Sequence, residues 1–193
     1  MNNLFGTNGV EDKVFESKYI QPGINDVKIV NFEANDSLNS LRINFTHLTK
    51  TYTDNGTKMP LALTVDLGFT EKSAPYQNRK IKHLSNAIVT AQETDATLGS
   101  ISSLADYAAK LNALLGGKPV RIKFVGKEVA GKDGKKNWVK AELGLPTFAE
   151  KITVPAADTK LVYDETSKYD FQRLAPKTNE DALTATSGTG LPF

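Results

Sequence analysis

The chain of 193 residues contains no cysteine, which excludes disulfide bonds, thiolate catalysis and cysteine-based zinc sites. Its two histidines, His47 and His83, are far apart in the sequence and do not form a zinc motif by themselves. No apolar run approaches the roughly 18 residues of a membrane span, and no basic and apolar leader opens the chain. We therefore expect a cytoplasmic protein that makes no contact with a membrane.

Sequence motifs of common enzymes are also missing. Residues 126–132 match the glycine and lysine positions of a P-loop, but Asp133 stands where the metal-binding serine or threonine would be. No nucleophile–base pair, metal-binding cluster or cofactor fingerprint accompanies this match. We therefore expect a protein that is not an enzyme and needs no cofactor.

Positive charge is concentrated in one segment. The formal net charge is only +2, yet residues 118–140 hold eight lysines and arginines against Glu128 and Asp133, a local balance of +6. No basic residue follows Lys177. This distribution favours a polyanionic ligand, and the alternative is that the lysines only keep the protein in solution.

The hydrophobic pattern predicts strands, then helices, then strands. The predicted strands cover residues 13–20, 24–34, 41–49, 59–69, 119–127 and 137–145. Asp54, Asn55 and Gly56 indicate a hairpin turn. Helices are expected at residues 76–92 and 101–115.

This order favours a mainly β protein, and specifically a five-stranded OB-fold barrel over residues 13–146. The helices then form an insert between strands 3 and 4. We expect a flexible arm at residues 1–12, an extension at 147–175 that packs on the barrel, and a disordered tail at 176–193.

Alternation along the first hairpin separates an apolar face from a polar one. Pairing Ile43 with Leu67 and Phe45 with Val65 forms a core, and His47 on this face is expected to be a core or rim histidine. The other face carries three candidate binding residues, which are Arg42, Lys50 and Tyr52.

The second hairpin shows the same separation. Pairing Val120 with Leu145 and Phe124 with Ala141 forms a core, and it places Lys127 directly opposite Trp138. The outward face then carries Arg121, Lys123, Lys127, Trp138 and Lys140, and the hairpin tip carries Lys132, Lys135 and Lys136. An outward tryptophan among cations is typical of a platform on which bases stack. The alternative is that residues 147–175 cover Trp138.

The chain ends in an apolar tip of Leu191, Pro192 and Phe193, which follows a polar stretch. Such a tip suits a pocket on another protein. Together with the predicted barrel, it resembles the single-stranded DNA-binding proteins that join an OB-fold to a flexible tail ending in Pro-Phe. Residues 17–29 (SKYIQPGINDVKI) are similar to the opening of many phage-encoded proteins of this type.

The resemblance implies sequence-tolerant binding of single-stranded DNA in phage replication, recombination or repair, in the cytoplasm of the bacterial host. The tip would recruit replication or recombination proteins. The chain departs from the family in a tail without acidic side chains at 182–193 and in the long insert at 70–117, so the oligomeric state stays open. The alternatives are a structural β-barrel protein of a phage tail or capsid, and a nuclease, which the lack of a carboxylate cluster disfavours.

Overall fold

A single β-sheet and three α-helices make up the part of the chain described by this computed structural model, residues 17–131 and 137–174. In chain order the elements are β1 (Gly23–Asn35), β2 (Ser40–Asp54), β3 (Thr57–Gly68), α1 (Ala74–Ile88), α2 (Ala91–Leu98), α3 (Leu104–Leu115), β4 (Pro119–Val129), β5 (Trp138–Glu150) and β6 (Phe171–Gln172). The protein is mainly β, as predicted, and its helices lie between β3 and β4.

The sheet has the strand order β3-β2-β1-β4-β5, with antiparallel neighbours throughout. The two-residue β6 pairs with β4 in parallel. Within the described residues β3 and β5 are the two ends of this order, and no hydrogen-bonded ladder joins them. The sheet is therefore unclosed.

The predicted turn between β2 and β3 is confirmed. Asn55 and Gly56 both have positive φ, at 47° and 80°, and Asp54 pairs with Thr57. A two-residue turn with both φ values positive has the twist that hairpin strands need, and Asn-Gly tolerates it at little cost.

The register of this hairpin differs by two residues from the prediction. Phe45 lies opposite Leu63, and Ile43 lies opposite Val65. The cause is an irregularity in β2 between Thr46 and Thr51, where the strand takes up extra residues. Up to Thr46 this shift of two keeps each side chain on its predicted face, so the apolar face is still the buried one. Beyond the irregularity, from Thr51 to Asp54, the register differs from the prediction by one residue.

The second hairpin also shifts by two residues. Phe124 lies opposite Leu143, and Lys127 lies opposite Lys140 rather than Trp138. A bulge in β5 then removes residues 144–147 from the ladder, so that Lys123 lies opposite Phe148. The prediction that Leu145 enters the core opposite Val120 is wrong, because this bulge leaves Leu145 40% exposed.

The core joins the two hairpins and the helices. The rings of Phe45 on β2 and Phe124 on β4 meet edge to face, with centroids 5.4 Å apart. The predicted apolar stripe of α3 is confirmed, since Tyr107, Leu111 and Leu115 are buried. The same core takes up Ile81 and Leu84 of α1, which packs along β5.

The helices depart from the prediction in one respect. The helix expected at 76–92 ends at Ile88, and a separate helix, α2, begins at Ala91. Thr90 accepts a hydrogen bond from the Glu93 N–H, while the Glu93 carboxylate accepts from the Thr90 N–H. This reciprocal cap is the local reason why a new helix begins there.

The first predicted strand, at 13–20, is reduced in its described part to an isolated bridge between Tyr19 and Ala62. Beyond the expected barrel boundary at residue 146, β5 continues to Glu150, and β6 returns to β4. The predicted arm at 1–12 and tail at 176–193 lie outside the described residues.

Candidate nucleic-acid interface

A groove of about 570 Å³ lies where the two ends of the sheet approach each other. We call it the seam groove. It is lined by Ser17, Tyr19, Ile20, Gln21, Leu63, Thr64, Trp138, Val139, Lys140 and Ala141. Its volume falls within the range of about 300–1,000 Å³ that is usual for sites that bind small molecules.

The segment before β1 forms one side of the seam groove because its backbone pairs with β3. The Ile20 N–H donates to the Ala62 carbonyl at 3.0 Å, and the Ala62 N–H donates to the Lys18 carbonyl at 3.2 Å. In extended backbone, neighbouring side chains point to opposite sides. Ile20 therefore enters the core at 2% exposure, while Tyr19 faces outward at 68%.

Trp138 forms part of the other side as the first residue of β5. Its side chain is 51% exposed and lies on the same face of the sheet as Lys127 and Lys140, so its predicted outward orientation is confirmed. The alternative in which residues 147–175 cover it does not hold for the described part, because none of residues 147–174 lines the groove.

Two lysines lie beside Trp138. Lys140 lines the groove and pairs with Glu142 at 3.0 Å, and Lys127 lies opposite it on β4. Lys127 is exposed, and among residues 17–131 and 137–174 it forms no ion pair. Tyr52, a predicted site residue, does not line the groove. Its ring lies 5.2 Å from the ammonium group of Lys18, which also contacts Asp54 at 3.4 Å.

Arg121 and Lys123 lie on the predicted face of β4, but both are buried, so the prediction that they are exposed beside Trp138 is wrong. The Arg121 guanidinium donates to Asp26 at 2.6 Å and to Glu150 at 3.1 Å. These hydrogen bonds raise the pKa of Arg121 above its usual value. Both basic side chains are buried. A buried charge is costly unless it is paired, and both side chains form ion pairs with carboxylates.

Lys123 is enclosed by the extension and by the end of β5. Its ammonium group lies 2.6 Å from Asp170 and 4.1 Å above the centre of the Phe148 ring. Phe171, which follows Asp170 in the chain, packs against Gly126. The segment that returns to β4 therefore covers this part of the predicted basic face.

The two remaining described candidates lie on β2, away from the seam groove. Arg42 donates to Asp66 at 2.9 Å, and that hydrogen bond raises the pKa of Arg42. Lys50 is exposed and lines a cleft of about 310 Å³ together with His47 and Arg121. Lys132, Lys135, Lys136, Leu191, Pro192 and Phe193 lie outside the described residues.

His47 is buried on the apolar face, as predicted. Its Nδ1 accepts hydrogen bonds from the Thr49 N–H at 3.1 Å and the Lys50 N–H at 3.0 Å. These two donors lie in the irregular part of β2, where the strand ladder gives them no partner. Burial lowers the pKa of His47, and the nearby charge of Lys50 lowers it further, although Asp26 opposes the effect.

Sequence reasoning missed Tyr19 as a site residue. A signal for Tyr19 was present, since it alternates with Ile20 inside a predicted strand. The pairing of that strand with β3 was not predicted, and so the sharing of one groove by Tyr19 and Trp138 was not predicted either.

In residues 17–131 and 137–174, no group of three or more histidine, aspartate or glutamate side chains is placed to hold a metal ion. In the same residues, every helix is too short or too polar to cross a membrane.

No protein-family model, curated protein or solved structure matches this chain.

Proposed function

We propose that this protein binds single-stranded DNA without sequence preference and without catalysis, in phage replication, recombination or repair. The supporting observation is the half-exposed Trp138, which shares a groove with Tyr19 and lies beside Lys127 and Lys140. Aromatic rings stack on bases of any sequence, and lysines neutralise phosphates and release their counterions.

The strand order supports the finer assignment to the OB-fold class. In that class a five-stranded Greek-key barrel binds oligonucleotides. Here β3 and β5 approach each other at the seam groove, with residues 17–21 beside them. In our proposal, this incomplete junction is the position at which the barrel would close.

The proposed partners beyond DNA rest on the resemblance alone. The tip at Leu191, Pro192 and Phe193 would recruit replication or recombination proteins, and the protein would act in the cytoplasm of the bacterial host. Association of several copies is compatible with this role.

Fluorescence titration is the direct test, because Trp138 is the only tryptophan in the chain. Addition of oligo-dT should quench its emission, and raising the salt concentration should weaken binding. A duplex of equal length and a Trp138→Phe variant serve as controls for strand preference and for the origin of the signal. No response to oligo-dT, or tighter binding of the duplex, would refute the proposal.

A structural protein of a phage tail or capsid is the second candidate. Val162 and Tyr169, both in the segment between β5 and β6, are strongly exposed, and exposed apolar side chains are typical of protein contacts. Sedimentation at increasing concentration should then show assembly that a Val162→Ser/Tyr169→Ser variant lacks. Assembly without any affinity for oligo-dT would favour this candidate over the first.

A further inference from the structure

We infer that the seam groove receives one unpaired base and that Tyr19 stacks on it together with Trp138. This inference rests on the proposed function and adds a binding residue from outside the strand order of the sheet. The two rings come from separate elements, the segment before β1 and the start of β5, and both line the groove.

The backbone holds Tyr19 in place for this role. Residues 18 and 20 are fixed to Ala62 by two hydrogen bonds, and the side chain of Ile20 is buried next to it. The ring of Tyr19 is nevertheless 68% exposed. A large aromatic side chain on a fixed backbone loses little conformational freedom when it binds, which favours affinity.

The surrounding charges suit a nucleotide better than an apolar peptide. Lys140 lines the groove, and Lys127 lies across from Lys140 on β4. A base in the groove would thus have two lysines on the Trp138 side for the phosphates that flank it. A base that is paired in a duplex would have to leave its stack before it could enter, which favours single strands.

The experiment compares two ligands with equal numbers of phosphates, oligo-dT and an abasic oligomer of the same length. Tyr19→Ala should weaken binding of oligo-dT roughly tenfold, which is within the range for loss of one stacked base, and should leave binding of the abasic oligomer unchanged. Tyr19→Phe keeps the ring and should bind like the parent. Tyr76→Ala, on the exposed face of α1, is the matched control for loss of a surface tyrosine.

A double-mutant cycle tests whether the two rings act on the same base. If they do, the effects of Tyr19→Ala and Trp138→Ala on oligo-dT affinity are not additive. Once one ring is lost, the base is held less firmly, and loss of the other ring then removes a smaller stacking contribution. Equal weakening of both ligands by Tyr19→Ala, or parent-like binding of oligo-dT, would overturn this inference. If the parent protein itself does not bind oligo-dT, the proposed function fails instead.

Folding of each variant is checked separately. Tyr19→Ala should keep the thermal unfolding midpoint of Tyr19→Phe, since the ring is mostly exposed. If Tyr19→Ala does unfold, the comparison passes to Tyr19→Leu, which keeps apolar bulk but has no aromatic face. Affinity of Tyr19→Leu equal to that of Tyr19→Phe would also overturn the stacking role.

Discussion

The ammonium group of Lys123 lies 2.6 Å from the carboxylate of Asp170, and both side chains are about nine-tenths buried. The pair connects β4 to the segment that precedes β6. The other Asp170 oxygen accepts from the Asp164 N–H at 2.9 Å, so the carboxylate also fixes its own loop. Lys123 therefore holds the extension in place.

Removal of one member of this pair should be costly. Asp170→Asn leaves a buried ammonium group without its counter-charge, and we expect a loss of about 3–5 kcal/mol in the free energy of unfolding. Urea denaturation measures it. The control is Asp66→Asn, which breaks the exposed pair with Arg42 and should cost below about 1 kcal/mol. Similar losses in the two variants would contradict the structural role of Lys123.

Gly126 is expected to tolerate no side chain. A Cβ at this position would lie 2.4 Å from Cδ2 of Phe171, so Gly126→Ala must displace the ring and should cost about 1–3 kcal/mol of stability. Thermal unfolding measures the loss. Gly68→Ala is the matched control, because a Cβ there meets nothing within 4 Å. Addition of Phe171→Leu to Gly126→Ala should recover part of the loss, and no recovery would show that the clash lies elsewhere.

Stability should fall in mild acid because of His47. Its folded pKa is lowered by burial, so below the unfolded pKa of about 6.5 the unfolded chain binds a proton that the folded protein does not. The free energy of unfolding should therefore decrease as pH falls from about 6.5 and stop decreasing, for this group, below the folded pKa. Denaturation at pH 7.5, 6.5 and 5.5 measures the effect.

The variant His47→Asn isolates this contribution, because its amide oxygen is bonded to Cγ as Nδ1 is, can still accept from the two backbone donors and does not titrate. Its decrease in stability between pH 7.5 and 5.5 should be smaller than that of the parent. His83→Gln is the control for the second histidine. If both variants lose stability with pH as the parent does, His47 does not carry the effect.

Lys127 should contribute one phosphate contact if the proposed function holds. Lys127→Gln should weaken binding of oligo-dT and reduce the slope of log K against log[salt] by about 0.7 in magnitude. Titrations at several salt concentrations give the slope. Lys82→Gln, on α1 and paired with Asp95, is the control and should keep the parent slope. An unchanged slope in Lys127→Gln would remove Lys127 from the interface.

The sequence predicted the face of the sheet on which a side chain lies better than it predicted the residue opposite that side chain on the next strand. Alternation placed Phe45, Phe124 and Trp138 on the correct sides, because a strand has a side-chain period of two and the register error at these three residues is two. The exact pairing depended on bulges in β2 and β5, which the hydrophobic pattern does not reveal.

The sequence also did not predict that two basic side chains would be buried. Arg121 and Lys123 lie on the face that alternation assigned to solvent, and the assignment of the face was correct. Their partners Asp26, Glu150 and Asp170 come from distant parts of the chain, which local pattern does not bring together. Tyr19 was missed for the same reason, since its pairing with β3 spans more than 40 residues.

The docking of α3 on β1 has a consequence for the order of folding. The Asn112 side chain accepts from the Phe32 N–H and donates to the Phe32 carbonyl, both at 2.7 Å, and the Gly117 N–H then donates to the Ile29 carbonyl at 2.8 Å. Pairing of β1 with β4 requires closure of a loop of about 95 residues, as between Asp26 and Arg121, and such closure slows folding. Once α3 has packed on β1, Lys118 already lies beside Ile29, and the hydrogen bonds between β1 and β4 can form in order from that end. We therefore expect Asn112→Ala to slow refolding more than it speeds unfolding, which is the kinetic signature of a contact made before the rate-limiting barrier is crossed.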